Sequence, residues 1–277
     1  MDYLLRVQIL PEYLFHLTTK REGINFLPWL PTVDGQVIPK EPVEAFEIGQ
    51  YQRIPVIIGN VRNETDAWLP DVEGPVLGGV MLRASMALQF GANFSQSRVV
   101  SSMYPKSKYG NGQRRTMRWS TDLLFHCYTT KIADIMTRDG NPVFTYDFQH
   151  SPSAKADPIN SDMKLCVGGE ACCHAGDNAF SFNTADFVPG LHFTPFETSL
   201  SREIVSTYAE FARDPLRFSR YNQTDGPGPM VAYNNETRLW TIWGPDGDSP
   251  TISTTTSDLR GAYCRFWAAE NTPPQKI

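Results

Sequence analysis

The strongest hydrophobic signal in the chain is the unbroken apolar run Ile54-Pro55-Val56-Ile57-Ile58, closed by Gly59. A short run of this kind, without polar alternation, predicts a strand covered on both faces, as in a parallel sheet. A second strand is predicted at Pro142 to Phe148 and a shorter extended piece at Arg238 to Trp243. Between them, Leu123, Leu124, Cys127, Ile132 and Ile135 recur at roughly helical spacing, which predicts a helix over Thr121 to Arg138, ended by Gly140-Asn141-Pro142. Further helices are predicted at residues 3–18, at Pro42 to Ile48 with Gly49 as C-cap, within 76–103, and at Ser201 to Ala212. Asp34-Gly35 predicts a tight turn, and residues 151–170 are polar and loop-like. Strand and helix alternate, so the fold class is α/β. Two strong parallel strands do not cover themselves, and the pattern predicts part of a larger sheet flanked by helices.

Polar residues then mark two loops. Gly59-Asn60-Val61-Arg62-Asn63-Glu64 follows the first strand, and Cys173-His174-Ala175-Gly176-Asp177 follows the second after a long loop. An acid and a histidine on loops after successive strands are the two partners that a nucleophilic serine requires. No Gly-x-Ser-x-Gly occurs anywhere in the chain.

Composition narrows the alternatives. The net charge of −5 argues against general nucleic-acid binding, which needs a clustered excess of Lys and Arg. The one basic cluster, Lys106, Lys108, Arg114, Arg115 and Arg118, lies among Gly110, Asn111 and Gly112 and is expected to be a solvated loop. No apolar stretch reaches the roughly 18 residues of a membrane span. The N-terminus carries no secretory leader pattern, yet Asn63, Asn93, Asn222 and Asn235 each begin an Asn-x-Ser/Thr triplet, and five cysteines fit an oxidising compartment. A secreted parent reconciles these features. Cys166, Cys172, Cys173 and His174 invite a zinc reading, but adjacent Cys172 and Cys173 suit two corners of one tetrahedral site poorly.

Taken in order, these blocks resemble the type-B carboxylesterases and cholinesterases. Leu30-Pro31-Thr32-Val33-Asp34-Gly35 with Ile38-Pro39 resembles the proline-rich Val-Asp-Gly segment, and Pro55 through Glu64 the acid-bearing strand and loop. Thr121-Asp122 with Phe125 and Cys127, then Pro142 to Phe148, resembles the next helix and strand. Cys173-His174 with Phe180-Ser181-Phe182 resembles the histidine loop, and Cys264-Arg265-Phe266-Trp267 the Cys-x-Phe-Trp close of the domain. Each block alone is weak, and their order makes the match specific.

The resemblance implies an α/β-hydrolase fold in which 1–277 is a single C-terminal portion with an incomplete, mostly parallel sheet. It implies Glu64 as triad acid and His174 as general base, with the serine, its elbow and the oxyanion loop upstream of Met1. It implies disulfides Cys127–Cys264 and Cys166–Cys173, with an exchange of Cys172 for Cys173 left open. No cofactor or metal follows from it. The partner would be a small-molecule carboxylic ester, and the oligomeric state is not legible. The chain departs from the family at Thr65 and Ala175, where glycine is usual. A noncatalytic, cholinesterase-like adhesion or interaction domain is the alternative function. His16, His126, His150 and His192 have no matched partner and are expected to be ordinary surface or packing residues, and the six tryptophans are expected in the core.

Overall fold

A computed structural model of the chain describes residues 33–66, 79–80, 82–83, 86, 94–153, 172–185, 192–221, 230–244 and 252–269. Along these residues the elements are α1 (Pro42–Glu47), β1 (Val56–Val61), α2 (Phe94–Met103), α3 (Lys106–Tyr109), α4 (Gly112–Thr121), a π-helical turn (Asp122–His126) and α5 (Cys127–Arg138). They continue as β2 (Val143–Phe148), α6 (Asn178–Ser181), α7 (Pro195–Arg213), α8 (Pro215–Tyr221), β3 (Leu239–Trp243), β4 (Ser253–Ser257) and α9 (Gly261–Ala269). The described residues within Met1–Tyr51, Glu73–Thr116 and Phe266–Ile277 form one compact unit, and those within Gln52–Val72 and Met117–Arg265 form a second.

The second unit holds a sheet of order β1-β2-β3-β4. β1 and β2 run parallel with Val56 opposite Val143 and Val61 opposite Phe148, β3 joins β2 in parallel, and β4 closes antiparallel. β1 begins at Val56 rather than Ile54, and Val56 N donates to Pro142 O. β2 is buried at five of its six positions, as expected of a strand covered on both faces. β4, Ser253-Thr254-Thr255-Thr256-Ser257, is a largely exposed polar strand whose lack of apolar residues hid it in the sequence.

One face of the sheet packs Val61, Phe144, Phe148 and Trp243 against Phe180, Leu200, Ile204 and Phe218. α7 supplies Leu200 and Ile204 four residues apart, so both fall on one helical face. The helix starts six residues before the predicted Ser201 because Thr194 and Glu197 form a reciprocal capping box and Pro195 occupies the first turn. Phe144 and Phe180 are fully buried, and truncating either to alanine would cost about 3–5 kcal/mol.

Two expectations need correction. The predicted helix beginning at Thr121 is the continuation of α4 through the π turn into α5, with five residues at wider pitch between them. The basic cluster is not a solvated loop but lies on α3 and α4. Arg115 donates to Tyr104 O and Ser101 O just past and within the last turn of α2, where a cation satisfies the free carbonyls of a helix end.

In the first unit the Asp34-Gly35 turn forms as expected: Asp34 Oδ1 accepts from the amides of Gln36, Val37 and Ile38, and Gly35 sits at φ +77°. Trp267 Nε1 donates to Tyr104 Oη at 3.0 Å, and both side chains are buried. Trp119, Trp240, Trp243 and Trp267 are all core residues, while Trp29 and Trp68 lie outside the described residues. Among the described residues no helix is long and apolar enough to cross a membrane.

Candidate active site

Glu64 sits on the turn that leaves β1. Its Oε1 accepts Val61 N at 2.9 Å, so the strand end itself fixes the carboxylate. Asn63 N donates to Cys172 O at 3.0 Å, and Asn63 bridges to Cys173 in parallel, which brings the histidine loop alongside the acid turn. The outcome is a contact between residues 110 apart in sequence: His174 Nδ1 lies 2.5 Å from Glu64 Oε2. With one oxygen held by the backbone and the other on the imidazole, Glu64 has both acceptors engaged.

The charges of the pair differ in setting. The Glu64 side chain is 7% exposed and that of His174 43%, which leaves the ring reachable while its partner is enclosed. The hydrogen bond to Glu64 raises the His174 pKa above the usual histidine value, against a smaller opposing effect of burial, and the charges of Glu64 and Asp177 add to the rise. The arrangement therefore fixes the Nδ1–H tautomer and favours imidazolium, the state a general base reaches after taking a proton. Phe125 from the π turn borders the imidazole with ring centroids 5.8 Å apart.

The two family departures have structural accounts. Ala175 adopts φ +64°, a left-handed conformation that glycine reaches without strain and alanine does not. Thr65 is buried, and its hydroxyl donates to Met117 O at 2.7 Å and lies 2.8 and 3.0 Å from the Ser120 and Thr121 hydroxyls, a local network that glycine would lack.

Cys127 and Cys264 are joined, linking the start of α5 to α9 across 137 residues. Cys173 is disulfide-bonded and Cys172 keeps a buried thiol, so Cys173 is the bridged member of the adjacent pair. Its expected partner, Cys166, lies outside the described residues. Asn93 and Asn222 lie outside them too. Asn63 is half-buried, with an enclosed Oδ1, and sits beside buried Glu64 and Thr65. Asn235 instead lies exposed on the turn before β3, with Glu236 and Thr237 also exposed.

The remaining histidines divide. His192 is exposed, and His16 is outside the described residues. His150 is buried against Phe148, Phe180 and Phe196 and lies 3.2 Å from Glu197 Oε1. Burial opposes ionisation of Glu197, but hydrogen bonds from His150, Ser153 and Thr194 outweigh it and hold its pKa down at about 2. His126 is more than packing: on the π turn, its Nδ1 faces Asn60 Nδ2 at 3.2 Å and its Nε2 faces Leu259 O at 3.0 Å. Asn60 Nδ2 also donates to Asp147 at 2.9 Å, and burial lowers the His126 pKa and raises that of Asp147. Beside them, Arg260 forms a fork on the buried Asp122 carboxylate. These polar groups tie β1, β2 and the π turn together, and no spacing in the sequence signals them.

With this geometry in place, the relatives can be compared. The sequence profile of the Carboxylesterase family matches residues 7–239. The chain belongs to that family. It is 28% identical over 150 residues to the cAMP-regulated D2 protein of Dictyostelium discoideum, covering 52% of this chain and 27% of that protein. It is 26% identical over 212 residues to Carboxylesterase 1C of Rattus norvegicus, covering 73% of this chain and 36% of the relative. A solved structure of PNB esterase superposes with a TM-score of 0.61 at 21% identity, over 89% of this chain and 44% of the esterase. The fold is therefore that of the α/β-hydrolases, and this carboxylesterase chain spans about a third of the length of the curated relatives it matches.

Proposed function

We propose that residues 1–277 supply the acid and base of a Ser-His-Glu carboxylic-ester hydrolase, with the nucleophile provided by residues outside this sequence. The observation that carries the reading is the 2.5 Å contact of His174 Nδ1 with Glu64 Oε2, held by β1 on one side and the Cys173 loop on the other. In this role His174 takes the proton of an attacking serine hydroxyl at Nε2 and later returns it to the departing alcohol. Glu64 orients the ring and stabilises the imidazolium. We assign the whole of 1–277 to the C-terminal portion of one esterase domain acting on small carboxylic esters. We also place the complete protein in the secretory route, with a glycan on Asn235; loss of mass on glycosidase treatment of secreted protein, absent in Asn235→Gln, checks that assignment.

Because no Gly-x-Ser-x-Gly is present, the chain alone is expected to show no saturable esterase turnover. The test is p-nitrophenyl acetate hydrolysis by purified 1–277 beside His174→Ala. A residual general-base rate that does not saturate fits the reading. Saturable turnover abolished by His174→Ala would contradict it, since the nucleophile would then lie within these residues.

A further inference from the structure

The acid turn is gripped on both sides of Glu64 by the C-terminal end of one helix. Two residues before Glu64, Arg62 O accepts Arg118 Nη1 of α4 at 2.5 Å. Directly after it, Thr65 bonds to Met117, Ser120 and Thr121 of the same helix. Between the two grips, Asp66 N donates to Asn63 O at 3.2 Å and closes the turn. The π turn that prolongs α4 carries Phe125, whose ring borders that of His174. One continuous stretch of helix therefore touches both the acid turn and the base.

The hydroxyl protons around Thr65 can be assigned, because Met117 O can only accept. Thr65 Oγ1 donates to it at 2.7 Å, so the Thr65 oxygen must accept from Thr121 Oγ1 at 3.0 Å. Ser120 Oγ, 2.8 Å from Thr65 Oγ1 and 3.2 Å from Met117 O, gives its proton to one of them. Thr121 Oγ1 in turn accepts Thr65 N at 3.2 Å. The circuit runs from Thr65 N to Thr121 Oγ1, back to Thr65 Oγ1 and on to Met117 O, so Thr65 enters it twice. Thr65, Ser120 and Thr121 are all buried, and a missing partner would leave a polar group unsatisfied away from water. The amide in this circuit lies in the peptide plane that begins at the Glu64 carbonyl, so holding it sets the direction in which the Glu64 side chain leaves the turn.

We propose that Thr65 is a positioning residue for the acid: its amide and hydroxyl lock the Glu64 peptide to the end of α4 and so hold Glu64 Oε2 on His174 Nδ1. The inference rests on the pairing of Glu64 with His174 assigned above and extends it. Val61 N fixes the tip of the side chain at Oε1, whereas Thr65 fixes its root in the backbone. Several rotatable bonds separate root from tip. A loosened root therefore lets the carboxylate keep the strand-end amide while its other oxygen drifts from the imidazole.

The experiment is an NMR titration of imidazole-labelled histidines in the 277-residue chain and its variants. Thr65→Val removes the hydroxyl at similar volume and should lower the His174 pKa by about half a unit, a partial loss of one charge-assisted hydrogen bond, with faster water exchange of the downfield Nδ1 proton. Thr65→Ser keeps the hydroxyl and should match the parent. Ile204→Val thins the core beneath the sheet without touching the acid turn, so it should lower stability and leave His174 at the parent value. A purely structural role for Thr65 would give Thr65→Val that same parent-like titration. An unchanged His174 titration in folded Thr65→Val overturns the proposal, as does an equal shift in Ile204→Val. Where Thr65→Val does not fold, an unchanged titration in Thr121→Val overturns it. Absence of the Nδ1 resonance in the parent chain would instead refute the Glu64 pairing on which the proposal stands.

Discussion

In a chimera joining residues 1–277 to the nucleophile-bearing half of a related carboxylesterase, His174→Ala is expected to lower kcat for p-nitrophenyl acetate about 10⁶-fold. The histidine moves the proton in both halves of the reaction, and nothing else in the described site replaces it. Glu64→Ala is expected to cost about 10⁴-fold, since it removes the orienting and charge-stabilising partner and leaves the proton carrier in place. The order of the two effects matters more than their size. Glu64 holds the imidazole by one short bond and is itself held by Val61 N, so its loss frees the ring without removing it. His150→Ala serves as the control: it weakens a buried contact with Glu197, and per folded molecule it should leave kcat near that of the parent. Loss of turnover in folded His150→Ala with retention in His174→Ala would reverse the assignment of the base.

The largest expected effect on stability comes from the bridge between Cys127 and Cys264. Replacing both with alanine should lower the unfolding free energy by about 5 kcal/mol, from the loop-closure entropy that a 137-residue separation removes from the unfolded chain. Urea denaturation of the oxidised parent and the double variant measures it, read as a fall in the midpoint at similar slope. The bridge sits next to His126 and the buried Asp122–Arg260 pair, so native contacts there should persist while the unfolded state gains freedom. A midpoint unchanged by the double substitution would mean that the entropic argument does not govern this bridge.

What the sequence disclosed follows from how local each signal is. The apolar run at Val56 and the strand at Val143 are read from composition alone, and their pairing places Glu64 at a strand end. The π turn was hidden because its residues keep helical periodicity while the backbone widens over Asp122–His126. The basic segment was misread for a related reason: Gly110 and Asn111 suggest a loop, yet Arg115 earns its helix through bonds to carbonyls of a neighbouring element. β4 went unseen because a threonine run at a sheet edge needs no apolar alternation. At the site, Glu64 and His174 were legible through the order of the family's blocks. Their distance was not.

The contact between His174 and Glu64 is open to direct measurement without a nucleophile. In the 277-residue chain, NMR should find a downfield Nδ1 proton on His174 and an imidazole pKa above the usual histidine value, as the hydrogen bond from Nδ1–H to the Glu64 carboxylate dictates. In Glu64→Gln the resonance should move upfield and the pKa should fall. A His174 that titrates at the ordinary value in both proteins, with no downfield Nδ1 proton, would contradict the pairing and with it the assignment of an acid and a base to this chain.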